Sequence, residues 1–255
     1  MKKILISILI VLCLCLPSYA LGPMMNLMAT GSSDPCVDMG ASGTYEFWWN
    51  GEYAADTDKA CYNSGASVND GVDSGSVIAA GGKVNGVYGA LVGAADDHVR
   101  WDGIAPDSTI DDAGWVKIAV TTPASFTGTS MFWEIYYDAD NNIIGYFNAN
   151  TIRLRHRGQG EVALLYASTA TLSVATTYYI WFTWKDTATD TMCIKICDDS
   201  ACSGESWECG ARDIFDFAAD HPTDISIGDD QTDIISVNGS WKLDDLVMGI
   251  GYIGD

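Results

Sequence analysis

The side chains best suited to chemistry fall into four sets. The first is acidic. Glu134-Ile135-Tyr136-Tyr137-Asp138 puts two carboxylates on one face of an extended segment. Four residues at about 3.3 Å each separate them by about 13 Å. Retaining glycosidases need about 5–5.5 Å between carboxyls and inverting ones about 6.5–9.5 Å. That pair is a poor acid–base couple, so Glu134 needs a partner from another strand. Without one it reads as a polar residue on a solvent-facing strand. The second set is basic. Arg153, Arg155 and Arg157 alternate with Leu154 and His156, so a strand carries all three on one face. Such a stripe can grip a carboxylated or sulfated glycan, because a guanidinium pairs bidentately with either group. The plainer reading is an edge-strand charge face paired to nearby acid.

The third set is the Asp pairs, at 96–97, 111–112, 198–199, 229–230 and 244–245, with Asp56 and Asp58 close together as well. Calcium takes six to eight oxygen ligands, which such loops can supply. Asp also favours turns for its own hydrogen-bonding reasons. Asp138-Ala-Asp140-Asn-Asn142 mimics the start of an EF-hand loop. Ile143 stands where that loop needs Gly and Ala149 where it needs Glu, so a hairpin turn fits better.

The fourth set is six cysteines beyond residue 20: Cys36, Cys61, Cys193, Cys197, Cys202 and Cys209. No C-x-x-C pair occurs, so a zinc module is unsupported. An even number in an exported chain reads as disulfides. Cys193 and Cys197 share a strand face about 13 Å apart and cannot bond each other. The preferred arrangement is Cys36–Cys61, with Cys197–Cys202 nested inside Cys193–Cys209, among about fifteen formal connectivities. The nested pairs are out of register and need a bulge or irregular loop. Other catalytic signatures are absent from the sequence: no G-x-S-x-G, no H-E-x-x-H, and three histidines (His98, His156 and His221) without an obvious catalytic companion.

The elements that must position these residues are strands. Short aromatic and β-branched runs recur between Gly, Asp and Asn: 45–49, 84–92, 98–102, 115–122, 131–138, 143–147, 151–156, 161–167, 178–185, 191–197, 224–228 and 241–248. This pattern predicts an all-β sandwich or barrel. Residues 211–219 suggest at most a short helical turn. The run Tyr178 to Trp184 is apolar or aromatic on both faces, so it is an interior strand. Tyr179 and Trp181 share one face, which can line a ligand groove or lie under a covering loop.

The chain has 255 residues, 13 of them Lys or Arg and 34 Asp or Glu, for a net charge of −21. A phosphate backbone would be repelled, which argues against nucleic acid as a partner. Residues 1–20 read as a secretory signal peptide: Lys2-Lys3, then an apolar run from Ile4 to Leu16, then Pro17-Ser18-Tyr19-Ala20. That run is short for a membrane span, which needs about 20 apolar residues. No later segment is long and apolar enough to span as a helix. Residues 21–43 read as an irregular lead-in and 44–255 as one domain.

Three landmarks then resemble a known group. Gly82 to Asp102, GKVNGVYGALVGAADDHVRWD, resembles the opening of laminin-G-like domains of the concanavalin A-like lectin/glucanase superfamily. TTYYIWFTWKDTATDTMCIKICDD resembles their aromatic strand and following turn. ISIGDD with WKLDDLVMGIGYI resembles their closing strand. The resemblance implies a two-sheet antiparallel jelly-roll sandwich. It also implies that the acidic pair of the last strand can join an early strand in a structural calcium site. Asp244 and Asp245 are then the first ligand candidates, with Asp56 and Asp58 behind them. Glycosidases of this superfamily resembling the family 16 enzymes carry Glu-x-Asp-x-x-Glu, and Tyr136 stands here where the central Asp falls. The Arg/Glu-rich strand and Gln-x-His strand of the alginate lyases are not found. The sequence is thus expected to encode an exported, non-catalytic glycan-binding or adhesion sandwich. The candidate ligand residues are Arg153, Arg155, Arg157, Trp181, Tyr179 and Glu134, and the partner is a glycan or extracellular surface component. A polysaccharide-cleaving enzyme and a structural envelope component are the alternatives.

Overall fold

A computed structural model describes residues 45–49, 59–62, 67–70, 72–74, 78–79, 84, 89–93, 97–103, 109–126, 128–138, 141–148, 150–157, 164–185, 191–211, 223–228 and 240–254. The strands are β1 Tyr45–Trp49, β2 Lys59–Tyr62, β3 Ser67–Asp70, β4 Val72–Ser74, β5 Ile78–Ala79, β6 Gly89–Val92, β7 His98–Asp102 and β8 Ala113–Thr121. They continue with β9 Thr129–Asp138, β10 Asn141–Asn148, β11 Thr151–Arg157, β12 Leu164–Thr171 and β13 Thr177–Lys185. The last four are β14 Thr191–Cys197, β15 Glu208–Ala211, β16 Asp224–Gly228 and β17 Trp241–Ile250. A single helical turn, α1 Thr109–Asp112, precedes β8.

Among the described residues these strands form two antiparallel sheets. One runs β15-β14-β13-β8-β17-β1-β2-β3, with β6 also on β17 and β5 on β6; the other runs β12-β11-β10-β9-β16-β7-β4. The all-β class expected from the strand pattern, and the two-sheet antiparallel sandwich implied by the resemblance, are therefore the architecture. Alternation sorts the side chains. Phe132, Trp133, Ile135 and Tyr137 of β9, where a bulge turns Phe132 inward beside Trp133, meet the even residues of β13 between the sheets, and Trp133 packs on Phe182 at 5.2 Å and on Trp184 at 6.1 Å. Phe47 against Trp101 and Phe132 against Trp241, both at 5.0 Å, close the rest of the gap. Trp133 fits only because Gly145 lies beneath it: a Cβ there would sit 2.2 Å from Trp133 Nε1.

The strand pattern matches the expected runs closely where burial is strong, as in 98–102, 191–197 and 224–228. β2, β3, β4, β5 and β15 are short and were not expected. The run expected at 161–167 is shifted to 164–171, because pairing with β11 sets it. There the Ser168 hydroxyl accepts the Ile152 N–H at 3.1 Å where the register shifts. The hairpin expected after Asp138 is present, with Asp138 paired to Asn141. Residues 1–43 and 212–219 lie outside the described residues, while Ala211 ends β15.

Cys193 is bonded to Cys209 and Cys197 to Cys202, the nested arrangement expected. The first bond joins a directly opposed pair on β14 and β15. The second closes the loop just beyond the ladder, where Cys202 takes a left-handed φ of 52°. Cys61 is also disulfide-bonded, while Cys36 lies outside the described residues. Among the described residues no helix is long and apolar enough to cross a membrane.

Candidate functional site

The outer face of the seven-stranded sheet gathers the arginines. β11 shows Ile152 and Leu154 to the core, so Arg153, Arg155 and Arg157 take positions on the opposite face. β7 does the same with Val99 and Trp101 inward and Arg100 outward. The registers align one row across the sheet: Arg100, Ser226, Glu134, Ile144, Arg155 and Leu165. A second row beside it runs Asp102, Asp224, Tyr136, Asn142 and Arg157. At about 4.8 Å per strand, Glu134 sits about 10 Å from each of Arg100 and Arg155.

Burial divides this face. Glu134, Asn142 and Ile144 are fully buried, and Ser226, Tyr146 and Asp224 nearly so. Arg153, Arg155, Tyr136 and Arg100 are half-buried and reach the surface around them. The expectation of a solvent-facing Glu134 is therefore corrected. β9 is an interior strand, and Ser226 and Ile144 flank Glu134 on both sides. The edge-strand reading of the Arg stripe is corrected too, because β11 pairs with both β10 and β12. His156 points the other way, buried opposite Ile143 on the core side.

Polar contacts fix part of the site. The Arg100 guanidinium pairs with Asp224 and, at 2.7 Å, with Asp102. It also lies over the Tyr136 ring, 5.0 Å from the centroid. Arg155 Nη2 donates to Asn142 Oδ1 at 3.4 Å. Asp224 further accepts the Gly103 N–H at 3.2 Å and the Thr223 hydroxyl at 3.2 Å. Glu134 and Asp224 are diagonal neighbours on adjacent strands, about 7–8 Å apart at the backbone. Asp224 is already committed to Arg100, which weakens it as a catalytic acid or base.

Arg100, Tyr136, Asn142, Tyr146 and Asp224 belong to this face and were not singled out from the sequence. The only signal was the alternation in HVRWD and MFWEIYYD. Nothing in either run says which strand lies beside which.

Trp181 and Tyr179 occupy the outer face of the other sheet. There Trp181 pairs with Lys117 and Lys195, and Tyr179 with Ala119 and Cys197. The structure thus places these two aromatics across the sandwich from the arginines, and the two sets cannot share one site.

The Asp244–Asp245 pair forms a bulge. Asp244 faces Ala119 and Val247 faces Lys117, so one residue is extra. Asp245 takes a left-handed φ of 51°, which Asp tolerates better than most side chains. Asp244 is buried, and its carboxylate accepts the Val84 N–H at 3.0 Å and the Asp245 N–H at 2.8 Å. Burial pushes the Lys117 ammonium below its ordinary value, while Asp245 acts in the opposite sense. Asp56 and Asp58 lie outside the described residues. Cys197, Cys202 and Glu205 also converge, but both sulfurs are tied in the disulfide and offer no thiolate.

No protein-family model matches the chain, and no curated protein matches it. Solved structures do match in fold. The botulinum neurotoxin serotype D binding domain aligns with a TM-score of 0.55 at 12% identity, over 88% of this chain and 50% of that one. A structure of the serotype D domain in complex with N-acetylneuraminic acid aligns equally, with a TM-score of 0.55 and 12% identity over 88% and 50%. The endo-β-1,4-glucuronan lyase of the fungus Trichoderma reesei aligns with a TM-score of 0.51 at 11% identity, over 81% of this chain and 96% of that one. The chain spans about half the length of the neurotoxin binding domains it matches. The likeness is one of fold: a two-sheet, lectin-like β-sandwich.

Proposed function

We propose that this chain is an exported, non-catalytic protein that binds an acidic glycan on the outer face of its seven-stranded sheet. One observation carries the reading. In a chain of net charge −21, four of the five arginines (Arg100, Arg153, Arg155 and Arg157) take positions on that single face. Tyr136 and Tyr146 supply aromatic surface among them, and Asn142 supplies a hydrogen-bonding edge. A glycan carboxylate or sulfate would be held by Arg155 and Arg153, which are half-buried, with both Nε atoms shielded from water. The neurotoxin domain holding N-acetylneuraminic acid and the glucuronan lyase supply the precedent that this fold meets acidic sugars.

The proposal extends to a laminin-G-like domain over 44–255, export directed by residues 1–20, and a structural calcium ion at Asp244 and Asp245 with Asp56 and Asp58. A glycan array probed with the purified chain, with and without calcium, is the test. Acidic glycans are expected to dominate, and Arg155→Ala to lose about tenfold or more in affinity, the worth of one charge-assisted pair. No binding in either condition, or an unaffected Arg155→Ala variant, overturns the reading. Calcium is expected to raise the melting temperature of the wild type but not of Asp245→Asn.

A second reading is cleavage of an acidic polysaccharide. Glu134, Tyr136, Asn142 and Arg155 are neighbours on a largely buried patch, which suits β-elimination. Arg155 and Asn142 would neutralise a uronate carboxylate while Tyr136 takes the proton at C5. Tyr136 accepts that proton as its phenolate, the C4–O bond breaks, C4 and C5 become doubly bonded, and the resulting phenol returns the proton to the leaving oxygen. Incubation with glucuronan should then generate the ultraviolet absorbance of an unsaturated uronate, lost in Tyr136→Phe. No absorbance change removes this reading.

A further inference from the structure

The outer face of the ten-stranded sheet carries a second assembly, unconnected to the arginine face. Its registers align Cys61, Trp48, Val247, Lys117, Trp181 and Lys195 in one row across six strands. That row is about 24 Å long at about 4.8 Å per strand. Trp115 lies beside it. A Cβ on Gly249 would sit 2.5 Å from Trp115 Cε2 and Cζ2, so the indole is laid flat on bare backbone. Its neighbour Trp181 is 5.9 Å away and tilted by only 32°. Trp115, laid on the sheet, and Trp181, tilted 32° from the Trp115 ring, thus form a shallow aromatic platform. Both are half-buried, as are Trp48 and Trp207. Trp181 Nε1 is buried and donates to no acceptor, so the platform leaves a polar group unsatisfied.

Cations line the same platform. Lys117 Nζ lies 4.9 Å from the Trp181 ring centroid, Lys195 Nζ 6.0 Å from that of Trp207, and Lys185 Nζ 4.0 Å from that of Tyr252. With Lys242, four of the chain's eight lysines take positions on this face. Asp245 opposes Lys117 there. Flat indoles stack on the C–H face of a pyranose, and ammonium groups beside them meet its acidic substituents.

We propose that this face is a second glycan-binding platform, on which an acidic polysaccharide stacks over Trp181 and Trp115 with its carboxylates or sulfates at Lys195 and Lys117. The charge complementarity singles out a polyanion rather than a neutral chain. Two such faces on opposite sides of the sandwich would let one molecule bridge two polymer strands.

Calorimetric titration of the full chain with a glucuronate hexamer tests this. Wild type is expected to bind two hexamers. Trp181→Ala should lose about tenfold or more in affinity at one of them, as for an aromatic anchor. Gly249→Ala keeps every ring and only lifts Trp115 off the sheet, so it should act in the same direction. Lys195→Glu inverts the charge of an ammonium that also donates to the Cys202 carbonyl at 3.1 Å, so near-ultraviolet dichroism of each variant guards against a folding failure. Arg155→Ala should leave this site intact. If Arg155→Ala changes nothing while Trp181→Ala abolishes binding, the arginine-face reading fails and this one stands. Unchanged stoichiometry and affinity in Trp181→Ala, Gly249→Ala and Lys195→Glu overturn it. So does sedimentation showing that the face is buried in a dimer of the chain.

Discussion

Replacing Asp244 by alanine offers a sharp check on how the closing strand is held. The buried carboxylate caps two backbone amides, Val84 at 3.0 Å and Asp245 at 2.8 Å. Hydrogen bonds to a charged group contribute about 1.5–3 kcal/mol each, and a buried donor left unpaired costs about 1–3 kcal/mol. Val84 is half-buried, so water reaches its amide and the lower figure applies there. Removing the carboxylate also recovers part of its own desolvation cost. The net loss comes to about 2–4 kcal/mol, a substantial share of the roughly 5–15 kcal/mol typical of a domain. Urea unfolding in the presence of EDTA measures it without any contribution from bound calcium. Asp244→Asn keeps one acceptor and turns an amide nitrogen toward a donor, so its loss should fall between those of wild type and alanine. An alanine variant that loses less than about 1 kcal/mol would refute the capping role. So would an asparagine variant as destabilised as alanine.

Other outcomes follow from single contacts. Gly145→Ala drives a methyl into Trp133, whose far side is closed by Phe182 and Trp184, so overpacking should cost about 1–3 kcal/mol in chemical denaturation; an unchanged midpoint would contradict the packing. Replacing both Cys193 and Cys209 by alanine opens a loop of sequence separation 16, for which chain entropy gives about 3 kcal/mol, and breaking the five-residue Cys197–Cys202 loop should cost less. The reverse order would speak against an entropic origin. Lys117 binds its proton more weakly when folded, so between its lowered pKa and 10.5 the unfolded chain holds more protons and stability rises with pH. The stability of wild type minus that of Lys117→Met should therefore grow as pH climbs toward 10.5. A difference that shrinks would mean the attraction to Asp245 outweighs desolvation.

Strand content was legible because it depends on local alternation. Val99 and Trp101 face one way and Arg100 the other whatever lies nearby. The three-residue Arg stripe, the Tyr179–Trp181 face and the hairpin after Asp138 could be read for the same reason. Strand rise forbids Cys193 and Cys197 from meeting, but it was the β14–β15 register, with Cys193 opposite Cys209, that selected the preferred nested pairs over crossed ones. β2, β3, β4 and β5 were not legible, since short polar or Gly-flanked segments become strands only when a neighbour supplies hydrogen-bond partners. The exposure of Glu134 was misread for a related reason. A carboxylate on an amphipathic strand looks solvent-facing until the strands on either side are known.

By itself, then, the sequence determined the all-β class, the two faces of each long strand and the exclusion of a Cys193–Cys197 bond, all consequences of a two-residue period and a fixed rise. Only the tertiary structure decided which faces meet. Strand order is set by long-range pairing, and that pairing puts Arg100 in one row with Glu134 and Arg155, 55 residues away in the chain. The same pairing carries Trp181 to the opposite side of the sandwich, so that residues read as one ligand site became two faces with separate chemistries.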